Sequence, residues 1–433
     1  MGLDDSLEGN STSVSSAEVI SDASPIEPSG IRQVVMLALS LCILQIGFGI
    51  VTPIFPFYID ALGVGALELG VLAASFALTR IFLAGPMGGL SDKVGRKPVL
   101  LGALIGFAIA NLIYASAETI FVMIGARALE GAVSAGFYPA ANAYVSDLTT
   151  PENRGTAMGY LSTGNMVGFV IGPTLGGVLA QFLGIRLPFV IAAIGTFFTV
   201  IAIQILISEP PQSVKRMAAP PKSDEISVVQ VFQQQPKAYF TLAVSMFANM
   251  FAFGILEVAF MLDAVQRFGI EPIEIGVFFG IIGIITIAGN IGFGKISDKV
   301  GRKWLIVAGA TMGGISLFLF MIATDVVGFY IAGMILGVAI SMRGPTIQAL
   351  IGDLCDDRVY GSVMGAFGAV SNSAYVVGPL LGGYLFDTSG DSISALGVAS
   401  MVSFFGAIAG GIGLPRDVQL EGMCETDDES GND

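Results

Sequence analysis

Long uncharged stretches separated by short polar ones make up most of the chain. A helix needs about 20 apolar residues to cross a bilayer, and ten stretches that lack Asp, Glu, Lys and Arg approach or exceed that length. They are residues 33–59, 98–117, 155–185, 187–208, 238–256, 275–294, 304–324, 326–342, 359–386 and 392–415. Two further windows, 69–91 and 119–146, are long enough but carry charges inside them. The pattern predicts an all-α membrane protein with twelve transmembrane helices.

The composition excludes several other classes of protein. Hydrophobic residues make up 54% of the 433 residues and charged residues only 12%, whereas soluble domains carry roughly 25% charged residues. The chain contains no histidine, so histidine catalysis and histidine metal ligands are excluded. Cys42, Cys355 and Cys424 are too scattered for a disulfide framework or a metal site. Because the nucleotide-binding motif G-x-x-x-x-G-K-[ST] is also missing, we expect no enzyme, no metal and no ATP drive.

The basic residues predict how the chain is oriented. On a twelve-span interpretation, fifteen of the twenty lie in one set of loops, and only Arg186 and Arg267 lie in the opposite set. The positive-inside rule predicts that the side with the fifteen basic residues is cytoplasmic, so both termini are expected in the cytoplasm. The membrane is expected to be the plasma membrane. The polar ends, residues 1–30 and 416–433, are acidic, carry no signal-peptide pattern and are predicted to be disordered. A net charge of −14 does not suggest a nucleic-acid partner.

The chain repeats itself with an offset of 206 residues. Residues 88–97 read GGLSDKVGRK and residues 294–303 read GKISDKVGRK, so eight of ten positions are identical. Residues 155–177 and 361–383 share nine of 23 positions without a gap. The repeat predicts two six-helix bundles, residues 31–208 and 238–415, joined by a cytoplasmic loop at 209–237. An offset of six spans keeps the halves parallel, related by an axis along the membrane normal.

The doubled motif, the twelve spans and the central loop resemble the major facilitator superfamily. The resemblance covers roughly residues 32–415. It implies alternating access, in which two pseudo-symmetric bundles rock about one central site for a small-molecule substrate. It also implies a monomer that works within the lipid bilayer.

The repeated motif predicts a gate on the cytoplasmic side. Gly95 and Gly301 can adopt the backbone angles that a tight turn needs, and Asp92 is placed to face the partial positive charge of a helix N-terminus. The resemblance implies that Asp92 faces span 11 near Gly361 and that Asp298 faces span 5. The expected gating residues are Gly88, Asp92, Gly95, Arg96, Asp147, Asp298, Gly301, Arg302 and Asp353.

Within this gate the resemblance implies two supporting ion pairs, Arg96 with Asp147 and Arg302 with Asp353. Such contacts form only when the cytoplasmic side is shut, so they favour the outward-open state. The alternative is that these basic loops only fix the topology. Topology requires the charges but not the spacing of Gly and Asp, which favours a gate.

Span 5 carries a run of closely spaced glycines. Glycines four residues apart let helices approach closely, and a proline kinks a helix, so plain packing is one explanation. The run also resembles the span-5 motif of drug:proton antiporters, including tetracycline exporters, and this favours export over uptake. Its residues are Gly168, Gly172, Pro173, Gly176 and Gly177.

Two acidic side chains inside the spans are candidate proton carriers. Arg127 and Glu130 are three residues apart on one helix face and can pair, so a self-neutralised structural pair is the alternative to a role in proton movement. Arg127 resembles the arginine of a family element implicated in proton movement, although glutamate at 130 departs from the commoner glutamine. Glu257 stands alone in an aromatic stretch. It either carries a proton or lies near the outer end of span 7 and faces water.

Arg80 and Arg343 are the remaining intramembrane cations, which can attract an anionic substrate or pair with Glu130 or Glu257. Span 1 lacks the acid that many drug:proton antiporters carry there, so any coupling must use other groups. The resemblance implies that spans 1, 4, 7 and 10 line the cavity, and lipid-facing or core packing is the alternative for each side chain. The candidate cavity residues are Gln45, Phe48, Phe137, Phe251 and Met342.

These features favour a secondary transporter that exports small amphipathic compounds in exchange for protons, with the proton gradient as driving force and no cofactor. The alternative on the same fold is uptake of a sugar or organic anion by symport or facilitated diffusion. A non-transporting receptor is a third possibility. Retention of both gate motifs argues against it, because a receptor need not cycle.

Overall fold

The computed structural model describes residues 28–210, 228–355 and 357–415, which form fourteen helices and no strand. Inside lipid every backbone polar group must be paired within the protein, and a helix pairs its own. The helices are α1 Pro28–Val51, α2 Phe55–Leu62, α3 Ala66–Val94, α4 Arg96–Ser116, α5 Ile120–Leu148, α6 Pro151–Leu183, α7 Leu187–Leu206, α8 Val228–Gln234, α9 Pro236–Gln266, α10 Pro272–Val300, α11 Arg302–Ile322, α12 Val326–Leu354, α13 Asp357–Ser389 and α14 Ile393–Gly413.

Eleven of the described helices are long and apolar enough to cross a membrane. The twelfth predicted span is α13, a 33-residue helix whose Ser, Asn and Tyr residues lower its hydropathy. The shorter α2 and α8 have eight and seven residues and cannot span a bilayer. The fold is therefore the all-α membrane architecture that the sequence predicts, with two additional short helices.

The helices pack as two bundles that repeat the same pairings. In the first half α1 packs on α6 and α7, α3 on α5, and α4 on α5 and α7. In the second half α9 packs on α13 and α14, α10 on α12, and α11 on α12 and α14. Each pair of helices in the second half lies six membrane spans after the corresponding pair in the first half. The internal repeat of the sequence thus corresponds to a repeat of the packing.

The two bundles meet along α3 with α13 and along α6 with α10. We call the membrane side that carries Asp92 the motif side, and the opposite side the far side. The contacts lie toward the far side, where a methyl group at Gly70 would lie 2.4 Å from the carbonyl oxygen of Pro379. On the motif side, methyl groups at Gly88 and Gly361 would have no atom within 4 Å. The space between the bundles therefore opens toward the motif side.

The structure corrects the predicted element bounds at two places. The window 33–59 forms two helices, because α1 ends at Val51 and α2 begins at Phe55. Pro53 and Pro56 have no backbone N–H, which interrupts the hydrogen-bond ladder of a helix there. The loop predicted at 209–237 contains α8. Of the tails predicted to be disordered, residues 1–27 and 416–433 lie outside the described residues, whereas residues 28–30 form the start of α1.

Candidate coupling site and gate

Arg127 and Glu130 form an ion pair deep in the first bundle. Arg127 Nη1 lies 2.8 Å from Glu130 Oε2, and the Tyr114 hydroxyl donates a hydrogen bond to the same oxygen at 2.9 Å. Glu130 is fully buried. The Arg127 guanidinium lies 5.2 Å from the ring centroid of Phe55 and 4.9 Å from that of Phe76. Pairing and cation–π contacts compensate the cost of burying this cation.

Glu257 on α9 brings a second carboxylate close to this pair from the other bundle. It is half-buried and accepts a hydrogen bond from the Tyr375 hydroxyl of α13. The Tyr375 ring stacks on Phe253, with centroids 6.3 Å apart. Glu257 is near enough to Arg127 for an electrostatic interaction, but it forms no ion pair in the part of the chain that the structure describes. A carboxylate without its own counter-ion thus lies between the bundles.

Arg80 and Gln45 are brought together by Tyr138. The Arg80 guanidinium lies 5.7 Å from the ring centroid of Tyr138, and the Tyr138 hydroxyl donates to Gln45 Oε1 at 2.6 Å. The Arg80 side chain is half-buried and has no carboxylate partner among the described residues. This group joins α1, α3 and α5 in one wall of the first bundle.

Arg343, for which the sequence left open an anionic substrate or a carboxylate partner, is buried in the second bundle. It is 6% exposed and forms no ion pair with Glu130 or Glu257. Its side chain runs along α11, where methyl groups at Gly309 and Gly313 would lie 3.3 Å from Arg343 Cβ and 3.9 Å from its Nη1. The guanidinium therefore points into the interior of the second bundle.

Two of the five candidate cavity residues are core residues instead. Phe137 is 0% exposed and belongs to the core of the first bundle, and Phe251 is 9% exposed in the core that joins the far-side ends. Phe48 and Met342 are half-buried, and Phe48 packs on Phe107 with ring centroids 4.7 Å apart. Sequence places a residue on a span, but the neighbouring helices decide which face it occupies.

The glycines of span 5 pack α6 against α1 and α10. A methyl group at Gly168 would lie 2.5 Å from the Cys42 carbonyl oxygen, and one at Gly176 would lie 2.6 Å from that of Ile50. Methyl groups at Gly172 and Gly177 would meet backbone atoms of α1 and α10 respectively, and a methyl group at Gly49 would lie 2.6 Å from Pro173 Cδ. The run therefore has a packing role on both sides of α6, including the contact between the bundles.

The gate motif of the first half forms a compact ionic cluster. Arg96 Nη2 lies 2.6 Å from Asp92 Oδ1, and Arg96 Nε lies 3.2 Å from Asp147 Oδ2. Gly95 has φ of 103°, a value that favours glycine. Glu209 caps α4 by accepting the backbone N–H groups of Arg96 and Lys97 at 2.6 and 2.9 Å.

Asp92 does not face span 11 in this conformation. Its side chain is 60% exposed and pairs with Arg96 of its own motif. The contact expected across the bundles requires a closed motif side, whereas the structure is open there. In the second motif Arg302 Nε lies 3.1 Å from Asp353 Oδ2, and Gly301 has φ of 95°. The side chain of Asp298 lies outside the described residues.

The far side is closed by contacts that the sequence did not predict. Asp387 on α13 accepts the backbone N–H groups of Ala66 and Leu67, at the start of α3, both at 2.9 Å. Across the second interface Gln181 Nε2 donates to Glu271 Oε2 at 3.0 Å. The repeated motif indicates only Asp92 and Asp298 as carboxylates that face a helix N-terminus. The sequence signal for Asp387 is the repeat itself, which makes position 387 equivalent to Gln181.

Comparison with known proteins agrees with this architecture. The family model described as Major Facilitator Superfamily matches residues 37–289 and again 238–422. The chain is 26% identical to "Multidrug resistance protein 2" of Bacillus subtilis, covering 82% of this chain and 88% of the relative. It is 30% identical to "Multidrug resistance protein MdtG" of Proteus mirabilis, covering 78% and 85%. It is 27% identical to "Tetracycline resistance protein, class H" of Pasteurella multocida, covering 83% and 90%.

Solved structures share the fold. A bacterial homolog of the human lysosomal transporter Spinster, crystallised inward-facing and unoccupied, aligns with a TM-score of 0.73 at 15% identity, over 89% of this chain and 96% of that one. The fold consists of two repeated six-helix bundles around a central space. This is the architecture of a membrane carrier. The chain belongs to the major facilitator superfamily, as its repeated motif predicts. It is a multi-pass membrane transport protein and not an enzyme.

Proposed function

We propose that the chain exports small amphipathic compounds in exchange for protons, with alternating access between the two bundles. The observation that carries the proposal is Glu257, a carboxylate without an ion-pair partner in the described part of the chain, close to the Arg127–Glu130 pair of the other bundle. A carboxylate in such a place can hold either a proton or a polar substrate. Competition for one group couples the two fluxes.

Export, rather than transport in general, is supported by the relatives. Proteins that share 26–30% of their residues with most of this chain carry names of multidrug resistance proteins, and another is named for tetracycline resistance. The glycine run of α6 resembles the antiporter motif and packs two interfaces at once. We further propose that the protein lies in the plasma membrane as a monomer, with its motif side and both termini in the cytoplasm.

Everted membrane vesicles with a respiration-driven proton gradient test this function, with ethidium as the amphipathic probe. We expect ethidium to dissipate the gradient, because an antiporter would exchange luminal protons for it. Glu257→Gln and Glu130→Gln remove the negative charge and keep the hydrogen-bonding shape, so each should reduce dissipation to the level of vesicles without the protein. Glu118→Gln, at an exposed residue between α4 and α5, is the control and should behave as wild type.

Normal coupled transport in both Glu257→Gln and Glu130→Gln would contradict the assignment of the proton to these groups.

Uptake of an anion by symport is the second candidate, and the half-buried Arg80 without a carboxylate partner among the described residues favours it. A symporter would dissipate the gradient only when its solute is inside the vesicle, so the side of addition separates the two functions.

A further inference from the structure

A small cavity lies where α6 of the first bundle meets α10 of the second. Its volume is about 210 Å³, and it is lined by Asn165, Met166, Phe169, Val170, Gly283, Thr286 and Ile287. None of these residues is among the candidate site residues of the sequence analysis. Arg127, Glu130 and Glu257 do not line the cavity either.

Two amide groups at this cavity have oxygens without partners. The side-chain oxygens of Asn165 and Asn290 are buried and accept no hydrogen bond from any described residue. Asn290 lies one turn after Thr286, and its Nδ2 donates to Sδ of Met166 at 3.9 Å, so its amide lies directly behind a residue that lines the cavity. A buried acceptor that stays unpaired is costly. Each oxygen therefore keeps an unused capacity to accept a hydrogen bond.

The polar residues gather on one side of each helix. On α6, the exposed Val167 lies about 200° around the helix from Asn165. On α10, the exposed Ile284 lies about 200° around the helix from Thr286. Exposed aliphatic faces suit lipid, whereas amide and hydroxyl groups suit an aqueous space. The cavity therefore lies on the side that faces the space between the bundles.

The repeat shows that these amides are a special feature of one interface. The positions equivalent to Asn165 and Asn290 are Ser371 and Ala84, at the interface of α3 with α13. That interface forms the same kind of bundle contact without either amide. Packing between the bundles does not by itself require them.

We propose that Asn165 and Asn290 form a subsite that accepts the N–H group of an amphipathic substrate and so selects among the exported compounds. This inference rests on the function proposed above. Pockets for whole drug-sized ligands measure about 300–1,000 Å³, so a cavity of about 210 Å³ takes one end of a substrate. The rest of the molecule lies in the open space between the bundles.

Two lipophilic cations that differ in hydrogen-bonding capacity test the subsite. Ethidium carries two aromatic amino groups, whereas tetraphenylphosphonium has no N–H. Their dissociation constants are measured on the purified full-length protein, and their export is measured in vesicles. Asn165→Leu and Asn290→Leu keep a similar side-chain volume and remove the acceptor. Each should raise the Kd of ethidium about tenfold and change that of tetraphenylphosphonium by less than about twofold.

Val167→Ala and Ile284→Ala, on the opposite faces of the same helices, are the controls and should leave both dissociation constants unchanged. Equal loss of both cations in the asparagine variants would mean that the amides only support packing, and no loss would mean that no subsite exists. Either result overturns the proposal, as does a wild-type protein that binds neither cation. Binding of both cations without export would contradict the proposed function, while the ratio of their dissociation constants still decides the subsite.

Discussion

Gly172 allows α6 and α1 to pack closely because it has no side chain. A methyl group at this position would lie 2.8 Å from Gly49 Cα and 2.8 Å from the Ile46 carbonyl oxygen, both backbone atoms of α1. Backbone atoms cannot rotate away as a flexible side chain can. The helices would have to separate, and the loss of contact would extend along the glycine run of α6.

Gly172→Ala should therefore lower the free energy of unfolding of the purified protein by about 1–3 kcal/mol, the usual cost of overpacking. Gly102→Ala is the matched control, because Gly102 lies inside α4 and a methyl group there has no atom within 4 Å. Alanine is a better helix former than glycine, so this control should gain about 0.5–1 kcal/mol. Both are measured by reversible unfolding in detergent. Equal shifts in the two variants would refute the packing role.

Single residues were predictable where their partner lies on the same helix. The spacing of Arg127 and Glu130 gives their pairing directly, because residues three apart share a face. Arg343 and Phe137 needed the structure, since the direction of each side chain depends on α11 and on the packing of the first bundle. Asn165 is a polar residue inside an apolar span, and that signal could have marked it.

Helix ends close the far side of the molecule. Asp387 caps α3 across the bundle interface through two hydrogen bonds to backbone N–H groups. An anion at a helix N-terminus is stabilised by the partial positive charge of the unpaired N–H groups. The bonds exist only while the bundles touch, so Asp387 favours the conformation that is open on the motif side.

Asp387→Asn should shift the population toward far-side opening, because a neutral amide interacts less strongly with the helix N-terminus. Spin labels at the exposed far-side ends of the two bundles, Leu183 and Val327, report the change as a longer distance. The control is Asp325→Asn. Asp325 also caps a helix N-terminus, but it bonds Gly328 of its own helix.

An unchanged distance in Asp387→Asn, or the same change in Asp325→Asn, would refute this role of Asp387. The proposed gate makes the opposite forecast for Asp92→Asn, which should keep the far side closed.

Most element bounds followed from the sequence, because charges bracket each span. The break at Pro53 was not predicted, although Pro53 and Pro56 are a sequence signal for it, and α8 was not predicted because its seven residues are too few to show a periodic pattern.

At the scale of the whole molecule, the repeat of the two bundles was predictable from the sequence, but the side of the membrane that is open was not. The repeated motif, with eight of ten residues identical, predicted two equivalent bundles. The packing of α1 to α7 recurs in α9 to α14. Which side is open could not be derived, because one sequence supports both conformations with different contacts at the two sides. The open motif side explains why Asp92 pairs within its own motif.

Paired distances on the two sides of the membrane test alternating access most directly. One pair of spin labels is placed at Val94 and Val300 on the motif side, which the repeat makes equivalent, and the other at Leu183 and Val327 on the far side. Distance distributions are recorded in lipid nanodiscs over a range of pH, with and without ethidium. We expect every condition that shortens the motif-side distance to lengthen the far-side distance. Two distances that stay constant, or that change in the same direction, would contradict a carrier whose bundles rock about a central site.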